Sequence, residues 1–275
     1  MNIFRRLYCW IFGCAKPIAP PIAPPIAIAR DKKTRFGLEI SYDEHWVKPN
    51  FGDLKPGYAR IDAAQNGEED VLVAALAAEG VKLLLIAPYV YTRDPRSVTA
   101  QAALVGAIAA RYADLAWGME LFNEPNLPMG SNGGSRAYTP EQYMEYAIAM
   151  ARAIRAAAPR MKVVLGGASG IDMRWYSALA DLGAMNLVDV IGFHPYGSNV
   201  KGVVYEIEWL ARIFPMKPLM CTEHPDVAIH EAMDGYVDAS IIFTLRDHSE
   251  FALIRPPSTI VDAARYDRAK ALLNR

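Results

Sequence analysis

The chain has 275 residues, of which 52% are hydrophobic and 21% charged, and its formal net charge is −1 at pH 7. This length suits one large domain or two small ones and allows a substantial buried core. The balanced charge argues against a protein that follows nucleic-acid phosphates, because such proteins carry a strong excess of basic residues. Its 3 cysteines do not make a disulfide framework. No apolar run reaches the ~18 residues of a membrane-spanning helix.

Residues 1–34 are predicted to form a tail outside the folded domain. Two arginines precede a short apolar block, Leu7 to Ala15, which has the form of a signal-peptide or lipoprotein segment near Cys14. A tail with neither role is the alternative. The next stretch, KPIAPPIAPPIAIA, is a proline-rich repeat that favours extended polyproline II and acts as a stiff spacer. A spacer indicates that the domain is held away from something, such as a membrane or another chain. A secreted or membrane-tethered protein is therefore favoured slightly over a cytoplasmic one.

From residue 35 onward, short apolar runs alternate with helical segments. The runs are RFGLEIS, GYARIDA, VKLLLIAPYV, WGMELFNE, KVVLGGAS, VDVIGFHPY, PLMCTEHP and ASIIFTLRD. The helical segments include 68–79, 97–112, 140–158 and 175–182, with a final helix expected over 259–273. This alternation is typical of parallel strands joined by crossover helices. It predicts an α/β fold, a single (β/α)8 TIM barrel over residues 35–275. An open doubly wound sheet is the alternative, but no glycine-rich loop follows the first run.

The helix after the fourth run has the clearest start signal. Thr139-Pro140-Glu141-Gln142 reads as a capping box with proline at the first helical position. Apolar residues follow at helical spacing, and Pro159 lies just beyond the predicted end.

Polar residues at the ends of the predicted strands are the candidate functional groups, because barrel enzymes carry their chemistry at the C-terminal strand ends. Glu124 ends the fourth strand and Glu223 the seventh, on opposite walls of one mouth. Paired carboxylates suit glycoside hydrolysis, provided that their pKa values are driven apart. Pro125 is expected to hold Glu124 in extended geometry. The other polar residues at strand ends are Arg60, Asp62, Asn123, His194, Tyr196, Arg246 and Asp247.

Three motifs together carry a family resemblance. ELFNEPN resembles the Asn-Glu-Pro motif of glycoside hydrolase clan A, CTEHP resembles its seventh-strand nucleophile motif, and GFHPYG resembles its sixth strand. Arg60 in ARID is similar to the clan's second-strand arginine. The helix TPEQYMEYAIAMARAIRAAAP resembles that of families 5 and 39 and their biofilm-polysaccharide relatives. The resemblance covers about residues 35–255.

The resemblance implies a retaining β-glycosidase with Glu124 as acid/base and Glu223 as nucleophile, their carboxyl groups ~5–5.5 Å apart. It implies that Arg60 keeps Glu223 ionised and that Asn123 holds the sugar 2-hydroxyl. It also implies that no metal and no organic cofactor is needed. His194 and Tyr196 are expected to orient Glu223 by hydrogen bonds.

Several of these residues have structural alternatives. Arg60 could pair with Asp62, and His194 could be a satisfied core histidine. Glu120, four residues before Glu124, is interpreted as a hydrogen-bonded interior residue rather than a catalyst.

The eighth strand departs from the clan pattern. The clan usually has a tryptophan there that forms the floor for the reacting sugar, whereas IIFTLRDHS offers Arg246. We hypothesise that Arg246 suits a sugar with a carboxylate or other acidic group. Trp46, with Tyr42, Tyr89 and Tyr91, is a candidate for stacking on sugar rings, and ordinary packing is the alternative.

Two other functions stay open. A metal-dependent barrel hydrolase would need converging histidines and aspartates, typically a His-x-His on the first strand, and RFGLEISYDEH lacks it. A catalytically silent carbohydrate-binding barrel is favoured by the altered eighth strand, but it need not retain both glutamates. We expect a carbohydrate partner, most simply a polysaccharide cleaved internally, because the small barrel has little loop material to block its cleft.

Overall fold

The structure is a computed structural model, and it describes ten segments of the chain. These are residues 34–40, 54, 56–64, 66–88, 95–128, 137–224, 226–243, 254–255, 259–260 and 263–274. The predicted tail therefore lies outside the described residues, apart from Thr34. Trp46 and Arg246 also lie outside them, as do the three tyrosines proposed for stacking.

Eight parallel strands close into a barrel in sequence order. They are β1 (Arg35–Ile40), β2 (Tyr58–Asp62), β3 (Lys82–Ile86), β4 (Ala116–Leu121), β5 (Lys162–Leu165), β6 (Val190–Phe193), β7 (Leu219–His224) and β8 (Ala239–Ile242). All eight predicted strands are present. The first pairs with the last, Arg35 opposite Ala239, so the sheet has no edge. The prediction of a (β/α)8 barrel is confirmed, and the open-sheet alternative is wrong.

Helices connect the strands on the outside of the barrel. They are α1 (Asp70–Ala78), α2 (Pro95–Arg111), α3 (Pro140–Ala157), α4 (Met173–Asp181), α5 (Ala184–Leu187), α6 (Val200–Ile213), α7 (Val227–Ala232) and α8 (Ala263–Leu273). The last helix begins four residues later than predicted. Thr259–Ile260 instead form a short strand, β10, which pairs antiparallel with β9 (Ile254–Arg255). Within the described segments, no helix has both the length and the apolar character needed to cross a bilayer.

The predicted capping box at the start of α3 is present. The Thr139 hydroxyl accepts a hydrogen bond from the Gln142 amide N–H (3.2 Å), and the Gln142 side chain accepts one from the Thr139 N–H (3.0 Å). One face of the helix is buried against the barrel. On that face, the Tyr143 hydroxyl donates to the Leu121 carbonyl (3.0 Å) and accepts from the Gly166 N–H (2.9 Å). Tyr143 thereby ties α3 to the C-terminal ends of β4 and β5.

Apolar side chains fill the inside of the barrel below the strand ends. This inner cluster is separate from the larger core between strands and helices, and it consists of Tyr58, Leu84, Val164, Val190, Met220, Ala239 and Ile241. A cavity of about 390 Å³ opens beneath it at the N-terminal strand ends, beside Trp117 and Lys82. The inner cluster separates this cavity from the opposite mouth, where the candidate site lies.

Candidate active site

Arg60 is the centre of the candidate site. Tyr58, on the same strand, belongs to the inner cluster, so alternation along β2 also points Arg60 into the barrel, where it is 0% exposed. Its Nε donates to Glu120 Oε2 (2.7 Å) and its Nη2 to Asn123 Oδ1 (2.7 Å). Its Nη1 donates to both Glu223 Oε2 (2.8 Å) and Glu39 Oε2 (2.5 Å). One guanidinium therefore binds side chains from the first, fourth and seventh strands.

Glu120 forms the floor of this network. Besides Arg60, its carboxylate accepts hydrogen bonds from the Gly167 N–H (2.9 Å) and the Thr222 hydroxyl (2.9 Å). Burial alone would raise the pKa of the Glu120 carboxyl, but Arg60 and His194 outweigh it and lower that pKa to about 2. Glu120 is thus an ionised interior residue, in agreement with its interpretation from the sequence.

Glu223 reaches the network from β7 through an irregularity in the sheet. Thr222 and Glu223 are neighbours, so strict alternation would send them to opposite faces, yet both bond to groups inside the barrel. The register between β7 and β8 shifts between Cys221 and His224, as at a β-bulge, and such a shift re-aims a side chain. Glu223 then accepts hydrogen bonds from Arg60 and from the Tyr196 hydroxyl. The expected contacts of Arg60 and Tyr196 with Glu223 are both present.

The backbone of Glu124 differs from the prediction. Its φ is +44°, in the left-handed region, and not the extended conformation expected before Pro125. Its N–H donates to the Gly167 carbonyl (2.9 Å), and its carbonyl accepts from the Leu127 N–H (3.0 Å). These contacts hold a conformation that local sterics disfavour, as is common at functional sites. The Glu124 side chain is 19% exposed and faces the mouth.

His194 bonds to a different glutamate from the one expected. Its Nδ1 lies 3.2 Å from Glu124 Oε1, and its Nε2 lies 2.9 Å from Thr222 Oγ1, so the prediction that it orients Glu223 directly is wrong. Burial would lower the pKa of the His194 imidazole, but Glu223, Glu120 and Glu124 outweigh burial and raise it to about 9. A protonated ring donates from both nitrogens, to Glu124 and to Thr222, which in turn donates to Glu120.

The two predicted catalytic glutamates meet across the mouth. A carboxylate oxygen of Glu124, one of Glu223 and a ring nitrogen of His194 all lie within 4.8 Å of one another. Burial would raise the pKa of the Glu124 carboxyl, but the hydrogen bond and the charge of His194 outweigh burial. The pKa of Glu124 therefore lies below its ordinary value. Two carboxylates this close can act on the same bond of one bound molecule.

The same three groups have a spacing that could hold a metal ion, but their chemistry does not favour one. A metal-ligating histidine must be unprotonated on the ligating nitrogen, whereas both nitrogens of His194 face hydrogen-bond partners and its raised pKa favours the charged ring. Glu223 is already bonded by Arg60, whose positive charge opposes a second cation nearby. The arrangement suits carboxylates that exchange protons better than a cation site.

Two residues of the site were not singled out from the sequence. Glu39 interrupts the apolar strand FGLEI, and a charged residue in a buried strand is itself a signal of a paired interior group. Thr222 precedes Glu223, and strand alternation alone would not place both in one network. Trp46 and Arg246 remain predictions, since they lie outside the described residues.

No protein-family model matches the chain, and no curated protein matches it. Solved structures do match. A family 39 glycoside hydrolase from Bacteroides cellulosilyticus WH2 is 14% identical with a TM-score of 0.66, over 91% of this chain and 66% of that one. A GH5_18 variant from Streptomyces cattleya, in complex with Manb1-4GlcNAc, is 16% identical with a TM-score of 0.62, over 87% and 80%. A monomeric beta-xylosidase from Caulobacter crescentus CB15 is 18% identical with a TM-score of 0.64, over 88% and 69%.

These matches define the class of fold. The barrel topology and the matches to enzymes of families 39 and 5 show that the chain has the (β/α)8-barrel fold of the clan A glycoside hydrolases. The chain spans slightly less than two thirds of the family 39 enzyme.

Proposed function

We propose that the protein is a glycoside hydrolase that cleaves β-glycosidic bonds with retention of configuration. The observation that carries the proposal is the approach of Glu124 and Glu223, which bring carboxylate oxygens within 4.8 Å from β4 and β7. A retaining enzyme needs its two carboxyl groups ~5–5.5 Å apart, whereas an inverting enzyme needs ~6.5–9.5 Å to admit a water. The fold shared with clan A enzymes supports the same function.

In the first step, Glu223 attacks the anomeric carbon. The bond from that carbon to the leaving oxygen breaks, an ester bond to Glu223 forms, and Glu124 gives its proton to the leaving oxygen. Hydrogen bonds from Arg60 and the Tyr196 hydroxyl hold the Glu223 carboxyl group in place for this attack. In the second step, Glu124 removes a proton from water, whose oxygen attacks the anomeric carbon. The bond from that carbon to Glu223 breaks, and the Glu223 carboxylate is released.

The acid role of Glu124 requires a proton that the empty site disfavours. His194 lowers the pKa of the Glu124 carboxyl, so this group is ionised in the free protein near neutral pH. A bound sugar covers the exposed part of Glu124 and removes water from it, which raises the pKa of the carboxyl. Substrate binding therefore supplies the change that lets Glu124 become an acid.

Asn123 is proposed to hold the substrate. Its Oδ1 accepts from Arg60, an arrangement that directs the side-chain NH₂ as the donor toward a sugar 2-hydroxyl. Trp46 and Arg246 complete the proposed set of substrate-binding residues. Arg246 is proposed to bind a sugar that carries an acidic group. A polysaccharide, cleaved internally, stays the proposed substrate.

Substitution of each glutamate tests the proposal. Glu124→Gln should lower the hydrolysis of glycosides with poor leaving groups by about 10²–10⁴-fold and spare those with activated aryl leaving groups, because only the former need protonation. Glu223→Gln should remove activity on both. Glu145→Gln, an exposed position on α3, is the matched control. Rates on aryl glycosides of graded leaving-group pKa, over a panel of neutral and uronate-containing sugars, provide the measurement.

Two outcomes would contradict the proposal. Equal losses on both substrate types in Glu124→Gln would refute its acid role, and substantial residual hydrolysis in Glu223→Gln would refute the nucleophile. A mechanism-based epoxide or fluoro-glycoside separates the remaining alternative. A covalent adduct on Glu223 indicates an enzyme, whereas sugar binding without adduct or turnover indicates a silent carbohydrate-binding barrel.

A further inference from the structure

Glu39 is a third carboxyl group beside the proposed nucleophile. It lies on β1, directly opposite Arg60 in the register between β1 and β2, and only 8% of the residue is exposed. Its neighbours Leu38 and Ile40 belong to the core between strands and helices. Alternation therefore directs Glu39 to the interior of the barrel, at the level of the candidate site.

Glu39 and Glu223 bind the same nitrogen atom. Arg60 Nη1 carries two hydrogens, and it donates to Glu39 Oε2 (2.5 Å) and to Glu223 Oε2 (2.8 Å). The two carboxyl groups are thus held side by side, with one guanidinium between them. Any change in the charge of Glu39 acts directly on the hydrogen bond that holds the nucleophile.

Three carboxyl groups, those of Glu39, Glu120 and Glu223, share the single charge of Arg60. Glu120 receives further hydrogen bonds from Thr222 and Gly167, and Glu223 receives one from Tyr196, so both carboxyl groups have partners besides Arg60. Burial of Glu39 raises the pKa of its carboxyl, and although Arg60 lowers it, the charges of Glu223 and Asp62 add to the rise, so the pKa lies well above its ordinary value.

The charged and titratable groups that face Glu39 come from several strands. Among the described residues they are Arg60 and Asp62 on β2, Glu223 on β7, Tyr196 after β6 and, through Arg60, Glu120 on β4. The carboxylates of Glu223 and Asp62 disfavour a further negative charge on Glu39.

We propose that Glu39 is a positioning residue that stays protonated while Glu223 reacts, so that the charge of Arg60 is left to Glu223 and Glu120. The role in catalysis rests on the proposed glycosidase function, but the protonation of Glu39 does not. Loss of this proton as the pH rises gives Arg60 a competing partner. The hydrogen bond from Arg60 to Glu223 then weakens, and the attack of Glu223 on the anomeric carbon slows.

The protonation of Glu39 is tested first without any enzymatic activity. A carboxyl with a raised pKa binds more protons in the folded protein than in the unfolded chain at pH values above its ordinary pKa of about 4.3. Stability should therefore fall as pH rises through that window, by up to tenfold in the ratio of folded to unfolded protein per pH unit. Glu39→Gln cannot titrate and should lack this slope. Urea unfolding of wild type, Glu39→Gln and the control Glu145→Gln over pH 4 to 9 measures it.

Parallel stability curves for wild type and Glu39→Gln over this range would overturn the proposal. If Glu39→Gln fails to fold, infrared titration of the wild-type protein replaces it. A protonated carboxyl band that persists at pH values above the ordinary glutamate pKa of about 4.3 supports the proposal, and its absence there overturns it.

The positioning role is tested by the pH profile of nucleophilic attack. The test uses the Glu124→Gln variant with substrates that carry activated leaving groups, because this variant lacks the proposed acid. Residue 124 does not titrate in the variant, so it does not contribute to the pH profile. Adding Glu39→Gln should shift the alkaline limb of the kcat/KM profile to higher pH by at least one unit. At a fixed pH on that limb, this shift is a tenfold increase in kcat/KM. An unchanged limb would overturn the role. The two proposals can fail separately. If Glu124→Gln and the double variant are both inactive but wild-type stability still falls with pH relative to Glu39→Gln, the proposed glycosidase function fails and the protonation of Glu39 stands.

Discussion

His194 links the two halves of the proposed catalytic pair. It bonds to Glu124 on one side and, through Thr222, to the network of Glu120 and Arg60 on the other. A protonated imidazole offsets part of the negative charge of the buried glutamates. The histidine is therefore expected to affect both the acid strength of Glu124 and the stability of the protein.

The pH dependence of stability should show the charge of His194. Its folded pKa of about 9 lies above the unfolded value of about 6.5, so the stabilisation is complete below pH 6.5 and is lost as pH rises through 9. The loss amounts to about 3 kcal/mol, and His194→Gln should not show it. Urea unfolding at pH 6 to 10 compares the two proteins; a difference between them that is constant over this range would contradict the prediction.

Single residues of the site were predictable where they stand in motifs. Glu124, Glu223 and Arg60 follow from strand-end positions and their surroundings in the sequence. The partner of His194 was not predictable, because a ring nitrogen at a strand end can reach either glutamate and only the three-dimensional spacing decides. Glu39 was overlooked because it stands within an apolar run and not at a strand end.

Gly167, in the turn after β5, lies so close to His194 and Thr222 that a side chain would not fit there. A Cβ atom at Gly167 would lie 2.4 Å from His194 Nε2 and 2.8 Å from Thr222 Oγ1, distances that real Cβ atoms do not adopt. The backbone of Gly167 also bonds to Glu120 through its N–H and to the Glu124 N–H through its carbonyl. Gly167 thus allows close packing beneath the candidate catalytic groups.

Gly167→Ala should displace His194 and disturb the Glu124 backbone. We expect a loss of stability of about 1–3 kcal/mol from overpacking and a fall in kcat/KM of about 10²-fold from misplaced catalytic groups. Gly202→Ala on α6 is the control, because its new Cβ would approach Asn199 no closer than 3.6 Å. Urea unfolding and aryl-glycoside kinetics measure both effects. Equal behaviour of the two variants would show that space beside His194 is not limiting.

Strands and the capped helix were predictable from periodicity and start signals, but two backbone details were not. The positive φ of Glu124 arises from hydrogen bonds to Gly167 and Leu127, which override the local steric rule for a residue before proline. The register shift near Glu223 depends on how β7 meets β8. Both are consequences of tertiary contacts between strands.

The barrel is closed where the start of the domain meets its last strand. Thr34, which the sequence placed in the tail, is 2% exposed. Its hydroxyl donates to the Val237 carbonyl (2.9 Å) and accepts from the Gly235 N–H (2.8 Å). These bonds fasten the residue before β1 to the turn before β8. The alternation of strands and helices predicted the barrel itself, but a single threonine just outside an apolar run gave no signal of this contact.

Thr34→Val should weaken the closure. Valine keeps the shape but removes the hydroxyl, so the Gly235 N–H and the Val237 carbonyl lose a partner, at a cost of about 1–3 kcal/mol in the free energy of unfolding. Thr34→Ser keeps the hydroxyl and should lose much less. Chemical denaturation of the two variants distinguishes them, and equal losses would show that the hydrogen bonds of the hydroxyl do not account for the effect.

The chain enters β1 at the end of the barrel opposite the mouth, with Arg35 beside the lower cavity and Glu39 near the candidate site. A strand of this length advances ~3.3 Å per residue. The chain therefore enters the described domain at Thr34 on the underside, away from the candidate site. Immobilisation through that side would leave the opening free to receive long, bulky chains from the surrounding liquid.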